Sequence, residues 1–354
     1  MNEIDVFLNQ PAEWLRTAGA NSDIVVSSRI RLARNIAGYP FVQKLVHEQQ
    51  DKIINLVEGA VKNSARLKGA YYFRYHHLTE LDRQFLLERH LISREHANEK
   101  GEKAVAITPN EVVSLMVLEE DHIRLQAFQA GFTLLETWRI VSQIDDELEK
   151  TLDFSFSPEL GYLSACPTNV GTGLRASCMM HLPSLVLTKQ VHKVLQALAK
   201  LNLAARGLYG EGTQAIGNFF QISNQMTLGQ NEQEIIDSLE RVIRQVVEHE
   251  REARQYLRDK RKGKFEDQIW RAVGTLKSAR MIASAEATQL LSLIHLGIHL
   301  ELFPADFTRQ DVNLLFLLIQ PAHLQKLMGK TLNSQDRDIA RADLLRQKLS
   351  KLTL

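Results

Sequence analysis

Hydrophobic and polar positions alternate with period two through much of residues 24 to about 230, in short runs punctuated by glycine and proline. That pattern predicts strands with some helices between them. In DIVVSSRIRLARN, residues 23 to 35, Val26, Ile30 and Leu32 share one strand face while Ser27, Arg29 and Arg31 share the other, so one side is core and the other cationic. EVVSLMVLEEDHIRLQAF, residues 111 to 128, predicts two strands joined by an acidic turn at Glu119, Glu120 and Asp121, with His122, Arg124 and Gln126 on one face. From about residue 232 the period becomes helical. Leu239, Ile243, Val246, Ala253 and Leu257 recur at helical spacing in a charged segment, and helix-like apolar stretches continue through Leu290 to Leu300 and Leu314 to Ile319. KRKGKF at 260 to 265 is charged, contains glycine and is poor in apolar residues, which marks it as the boundary. The expected division is 1–258 and an all-helical 259–354, without internal repeats or low-complexity tracts.

With 354 residues and 44% hydrophobic content, the chain can bury a sizeable core in one large or two moderate domains. Its 43 Lys+Arg against 42 Asp+Glu leave a net charge of +1, so no global field would draw it onto nucleic acid or anionic lipid, and any anion must be held by a local cluster. Leu314 to Ile319 is the longest strongly apolar run, far short of the roughly 20 residues that cross a bilayer, so no membrane association is expected. The acidic start MNEIDVFL is no secretory signal, and Cys166 and Cys178 offer little scope for a disulfide framework; a reducing, cytoplasmic location is expected.

The candidate chemistry concentrates in CPTNVGTGLRAS, residues 166 to 177, where a cysteine, a glycine-spaced turn and an arginine lie in one unit. Pro167 and Asn169 suit a turn after GYLSA, the glycines at 171 and 173 permit close backbone approach to a ligand, and Arg175 begins another strand. Nearby cations would favour a thiolate at Cys166, although a small buried hydrophobe is the plainer reading of a free cysteine. Cys178 falls on the apolar side of LRASCMMHL and reads as core. RGLYGEGTQ, 206 to 214, adds Arg206 and Glu211 between glycines that suit a loop closing over substrate. Alone, each segment has a bland alternative: strand arginines pair with carboxylates, and acidic turns are often merely solvated.

Together, SSRIRLARNIAGYPF, LEEDHIR, CPTNVGTGLRAS and RGLYGE, in this order and approximate spacing, resemble the catalytic domain of the phosphagen kinases, the arginine and creatine kinase family, from about 24 to 250. The resemblance implies an α+β fold, an antiparallel β-sheet flanked by helices, here followed by an all-helical C-terminal domain. It implies that Arg29, Arg31, Arg124, Arg175 and Arg206 hold the phosphates of ATP. Ser27, Ser28, Ile30, His90, Ala176, Ser177, Cys178, Met179, Gly207, Leu208, Tyr209, Gly210 and Glu211 would complete the nucleotide site. Arginine suits this task because its planar fork binds phosphate oxygens bidentately and neutralises charge developing on the transferred group. Mg2+ would bridge the phosphate oxygens, with no metal site made by protein side chains. A guanidinium with a pKa above about 12 is a poor nucleophile. The resemblance assigns Glu120 and Glu211 to grip, orient and deprotonate it, and Cys166 to lie beside it as a thiolate.

The SSRIR motif begins at Ser27, which leaves no room for the separate N-terminal helical domain of the small-guanidine kinases, so the acceptor pocket is expected to be more open. This arrangement, with the extra helical residues at the C-terminus, resembles the bacterial protein-arginine kinase branch of the family. It implies transfer of the γ-phosphoryl group to arginine side chains of proteins. A kinase for free arginine or another small guanidine, and an adaptor that reads phosphoarginine, remain as alternatives. In NSQDRDIARADLLRQKL, 333 to 349, an Asn or Ser cap opens a helix with Arg337 and Arg341 on one face. Two forks there could clasp a phosphate, or the face could simply be solvated. By resemblance, RDIARA makes Arg337, Asp338 and Arg341 an allosteric phosphoarginine site. His295 and His299 lack an evident third ligand in apolar surroundings and read as a core or interface pair, and an apolar helix of this kind suits a homodimer contact. The same resemblance implies a bacterial stress response, a zinc-binding activator, a heat-shock repressor as substrate, and a Clp-type unfoldase that degrades marked proteins.

Overall fold

The structure, a computed structural model, describes residues 3–98, 101–207, 215–260, 262–350 and 352. Its ten described strands are β1 (Val25–Arg34), β2 (Tyr71–Arg74), β3 (Ala104–Ile107), β4 (Val113–Val117), β5 (Ile123–Ala130), β6 (Phe156–Ser157), β7 (Gly161–Tyr162), β8 (Leu174–His181), β9 (Leu203–Gly207) and β10 (Phe219–Asn224). Eight of them form one sheet in the order β2-β3-β4-β5-β1-β8-β10-β9, antiparallel at every pairing, and β6 with β7 makes a separate small hairpin. The helices are α1 (His47–Asn63), α2 (Glu80–Glu88), α3 (Arg94–Asn98), α4 (Leu134–Glu149), α5 (Pro183–Leu187), α6 (Val191–Lys200), α7 (Glu232–Lys260), α8 (Lys262–Ser278), α9 (Ser284–His299), α10 (Arg309–Leu318), α11 (Pro321–Met328) and α12 (Ser334–Lys348).

Period-two patterning sets the two faces. On the back, Ile30, Leu32, Leu125, Ala127, Leu174, Met180 and Ile222 are buried in one core with Ile53, Ile54 and Val57 of α1, Val141 and Ile144 of α4, and Leu239 and Ile243 of α7. Burying each such side chain contributes about 1.5–3 kcal/mol, so this face fixes the strand register. The front face is divided. At one end Val26, Phe128, Met179 and Phe219 join a core with Leu276, Leu291, Phe316 and Leu345 of the C-terminal helices. The other end carries arginines. A third core, including Phe7, Phe85 and Leu86, closes the β2 and β3 end.

Helix α7 ends at Lys260 and α8 starts at Lys262, so the change from one helix to the next falls within KRKGKF, the segment expected as the boundary. Lys and Arg are good helix formers, and the single glycine, Gly263, costs only about 1 kcal/mol in a helix, so the described residues on either side are helical rather than loop. Among the described residues no helix is long and apolar enough to cross a membrane.

Candidate active site

The register collects the arginines. Across β1 and β8, Arg31 faces Arg175 and Arg29 faces Ser177; across β1 and β5, Arg31 faces Gln126 and Arg29 faces Phe128, with Arg124 two residues further along β5. Opposed residues share a sheet face, so Arg29, Arg31, Arg124 and Arg175 stand together on four-residue centres that no linear spacing reveals. Arg206, on the edge strand β9, joins them around a cavity of about 650 Å³ whose lining also includes Lys103, Glu119, Glu120 and Ser223.

Arg31 Nε and Arg175 Nε are buried and find no hydrogen-bond partner among the described residues. Burial, then repulsion from Arg124 and Arg175, pushes the Arg29 guanidinium down to about 9. Burial and the charges of Arg29, Arg124 and Arg175 push Arg31 well below its ordinary value, against a weaker opposing pull from Glu119. Buried donors without acceptors cost about 1–3 kcal/mol each, more when charged. A polyanion relieves both that cost and the mutual repulsion, which is the test an ATP triphosphate passes here.

The acidic turn divides its labour among three carboxylates. Glu119 is buried, accepts from Ser93 Oγ at 2.6 Å and pairs with Arg124, fixing that guanidinium. Burial tends to raise Glu119, but Arg124, the Ser93 hydroxyl and the Glu120 backbone N–H outweigh it and the net pKa is lowered. Asp121 Oδ1 accepts at 2.7 Å from both Asn35 Nδ2 and Ala165 N, while Asn35 Oδ1 accepts from His122 N at 3.0 Å and Asn35 Nδ2 also reaches Leu163 O at 3.0 Å. This knot ties the end of β1 and the acidic turn to the loop that carries Cys166. Glu120 lines the cavity without a paired arginine, whereas Glu119 there is committed to Arg124. Burial, then the charges of Asp121 and Glu119, raise its pKa against Arg124 and a hydrogen bond with Cys166. A carboxylate so tuned suits a general base. Cys166 is partly exposed, with Sγ 2.9 Å from Thr168 Oγ1.

Two sequence expectations change. Gly171 and Gly173 have φ of 109° and 64°, and an added Cβ would meet Thr227 O at 2.3 Å in the first case, and Ala33 O and Arg34 Nη1 at 2.7 Å in the second. The glycines admit the chain's own backbone and the Arg34 strut, not a ligand. Ser28, Ile30, Ala176 and Cys178 are buried on the apolar face, where Ser28 Oγ donates to Gly131 O at 2.9 Å and Cys178 is pushed up to about 12 by burial. They shape the strands rather than face the cavity, whereas Ser27, Ser177 and Met179 are on the arginine side. His90 has a left-handed φ of 61° and packs edge-on to Trp14 with ring centroids 4.7 Å apart. Its Nε2 is buried without a described partner, and burial, then Arg29, lowers it to about 3. Gly207 ends β9. Leu208, Tyr209, Gly210 and Glu211 lie outside the described residues. Asn35 was missed because a buried polar residue just past a strand end carries no periodic signal, and Ser93 because, half-buried ahead of α3, it reads as a local helix start while its bond to Glu119 spans 26 residues.

In α12 the two arginines are unequal. Arg341 is 1% exposed and donates through Nε to Ile319 O and through Nη1 to Ile282 O, both at 2.7 Å, besides pairing with Asp338. Arg337 is half-buried and donates to Leu332 O at 2.9 Å. The helix therefore does not offer two open forks. His295 is buried between His181 and His299, with ring centroids 4.7 and 5.1 Å away, at the join of β8 and α9. Among the described residues no group of His, Cys, Asp and Glu is placed to hold a metal ion.

Comparison with known proteins agrees with this geometry. Residues 52–253 match the model of the ATP:guanido phosphotransferase C-terminal catalytic domain, and 262–353 match that of the protein-arginine kinase McsB C-terminal domain. The protein-arginine kinase of Desulforamulus reducens is 45% identical over 348 residues, 98% of this chain and 97% of that one. That of Symbiobacterium thermophilum is 47% identical over 343 residues, 96% and 97% of the two chains. Among solved structures, the duplicated taurocyamine kinase of Schistosoma mansoni shares 25% identity at a TM-score of 0.59, covering 71% of this chain and 37% of that one. A lombricine kinase shares the fold at a TM-score of 0.57 and 23% identity, covering 72% and 71%. The chain belongs to the ATP:guanido phosphotransferase family, in its protein-arginine kinase branch.

Proposed function

We propose that this protein is an ATP-dependent kinase of arginine side chains in proteins. One observation carries the chemistry: four strands deliver an under-neutralised arginine cluster to the same cavity as Glu120, whose carboxylate hydrogen-bonds with Cys166. Arg29, Arg31, Arg124, Arg175 and Arg206 hold the triphosphate. Glu120, with Glu211 from the segment outside the described residues, orients the acceptor guanidinium and takes the proton from the attacking nitrogen. That nitrogen forms the bond to the γ-phosphorus as the bond to the β–γ bridging oxygen breaks and ADP leaves. Magnesium, held through the nucleotide phosphates, supplies further neutralisation of their charge.

The two-part organisation, 1–258 for transfer and 259–354 for regulation, belongs to the same proposal. So do a cytoplasmic location, a homodimer, allosteric phosphoarginine binding at Arg337, Asp338 and Arg341, which requires Arg341 to exchange its contacts with Ile319 and Ile282 for the ligand, and a role in stress response through a zinc-binding activator, a heat-shock repressor and a Clp-type unfoldase that degrades marked proteins. The relatives' printed name supports the acceptor class.

The test incubates the full chain with magnesium and ATP and either an unstructured arginine-containing protein or free arginine, with phosphoarginine detected by mass spectrometry under mild conditions. Phosphate on protein arginines, lost in Cys166→Ala, is the expected result. Transfer to free arginine alone overturns the protein-kinase reading.

A further inference from the structure

The loop carrying Cys166 is also the floor of a second concavity. Thr227 Oγ1 lies 2.8 Å from Thr168 O and 2.7 Å from Val170 O, and Thr172 N donates to Thr227 O at 3.0 Å, so the 226–231 segment is laced to that loop. The β6–β7 hairpin attaches from the other side, with Tyr162 N donating to Gly171 O at 2.8 Å. Between them lies a groove of about 450 Å³. Its walls hold Phe156, Leu160 and Leu228, which are 58%, 46% and 48% exposed.

Large apolar side chains left half in water beside a catalytic loop mark a contact surface. Among the described residues the charged groups lining the groove are all acidic: Glu159, Glu232 and Glu234. A second cleft shares Gly229, Gln230 and Glu234 and continues along α7 past Asp237 and Glu240. Arg241 and Arg244 also line that cleft, where Arg244 is paired with Glu240 at 3.4 Å and lies over the Phe132 ring. The ATP side of the Cys166 loop is thus strongly cationic and its far side is apolar and acidic.

We propose that this groove docks the acceptor polypeptide next to its target arginine, favouring segments with an apolar side chain and further cationic residues flanking that arginine. An extended chain places alternate side chains on one side, so one register presents an apolar residue to Phe156 and Leu228 while lysines or arginines meet the glutamates. Electrostatic complementarity of this kind sets specificity and encounter rate. The proposal rests on the protein-arginine reading above.

The experiment uses the full chain and two synthetic peptides with one target arginine, flanked either by leucine and lysines or by glycine and glutamates, with free arginine as a third acceptor. Phe156→Ser combined with Leu228→Ser lowers kcat/KM for the leucine–lysine peptide about tenfold and leaves the KM for ATP unchanged. Glu159→Lys combined with Glu232→Lys reverses the ranking of the two peptides. Unchanged peptide kinetics in both variants overturns the groove while leaving the kinase reading intact; wild-type transfer to free arginine alone overturns the kinase reading itself. Loss that extends equally to the glycine–glutamate peptide, or a fall in molar mass by light scattering, also overturns it, the first as general damage and the second as a contact between copies of this chain.

Discussion

Two sets of buried arginines sit in this molecule under opposite rules. Arg89 is 1% exposed and fully answered: Nε and Nη2 meet the two Glu111 oxygens at 2.8 Å, and Nη2 also reaches Gln10 O at 2.9 Å. Arg34 is bound to Asp145 at 2.7 Å and stacked 3.5 Å from the Tyr162 ring centroid. In the cavity, by contrast, Arg29, Arg31 and Arg175 face one another, and two of their Nε donors lack described partners. Glu119 answers Arg124 but does not balance the rest. A structural arginine is satisfied by the fold, whereas a ligand-binding one is left for the ligand to satisfy. On the proposed function, electrostatic strain in the free protein is converted into affinity for phosphate.

That contrast can be broken or sharpened. The largest effect is expected at Glu120, the carboxylate left free to act: Glu120→Gln should reduce kcat by about 10²–10⁴-fold, the range of general-base catalysis. ATP affinity by calorimetry should change little, because the arginines remain. Comparable loss of both would assign Glu120 to nucleotide binding instead. Next, Arg89→Ala should cost about 3–5 kcal/mol in urea denaturation, since it strands Glu111 without its partner. Arg31→Ala should do the opposite. It should weaken ATP binding by roughly 10–100-fold, from hydrogen bonds to a charged group worth about 1.5–3 kcal/mol, yet leave the unfolding midpoint unchanged or higher. A stability loss at Arg31 equal to that at Arg89 would erase the distinction.

The smallest effect is a shift in pH dependence. Burial raises the Glu120 pKa, and so do the charges of Asp121 and Glu119. A base must be ionised, so activity falls as pH drops through this raised value, and the acid limb of kcat/KM should stand above the ordinary carboxylate value of 4.5. Asp121→Asn keeps an oxygen for Asn35 and Ala165 but removes one repelling charge. Glu120 then ionises more readily and the acid limb moves to lower pH, by less than about one unit. A limb that does not move, or moves upward, would remove Asp121 from the tuning of the base.

Much of the site was legible because strand faces are written in alternation. Arg29, Ile30, Arg31 and Leu32 declare a two-faced strand, and the acidic turn announces itself between two apolar runs, but the register shift between Val25 and Ser27 puts Val26 in the front core and not with Ile30 and Leu32 as expected. KRKGKF contains the change from α7 to α8, although its residues favour helix over loop. Gly171 and Gly173 signalled close approach correctly but not what approaches, since Thr227 and Arg34 lie 56 and 139 positions away respectively from those glycines in the chain.

The sequence by itself determined which residues share a strand or helix face, the change of period near residue 232, and the motifs that point to guanidine phosphorylation, because periodicity and local chemistry act over a few residues. Tertiary structure alone decided that Arg31 faces Arg175 across β1 and β8, that Asn35 and Asp121 tie the acidic turn to the Cys166 loop, and that Arg341 is an internal strut. Those outcomes depend on the order β5-β1-β8 and on which buried polar groups find partners, which are long-range consequences of core packing.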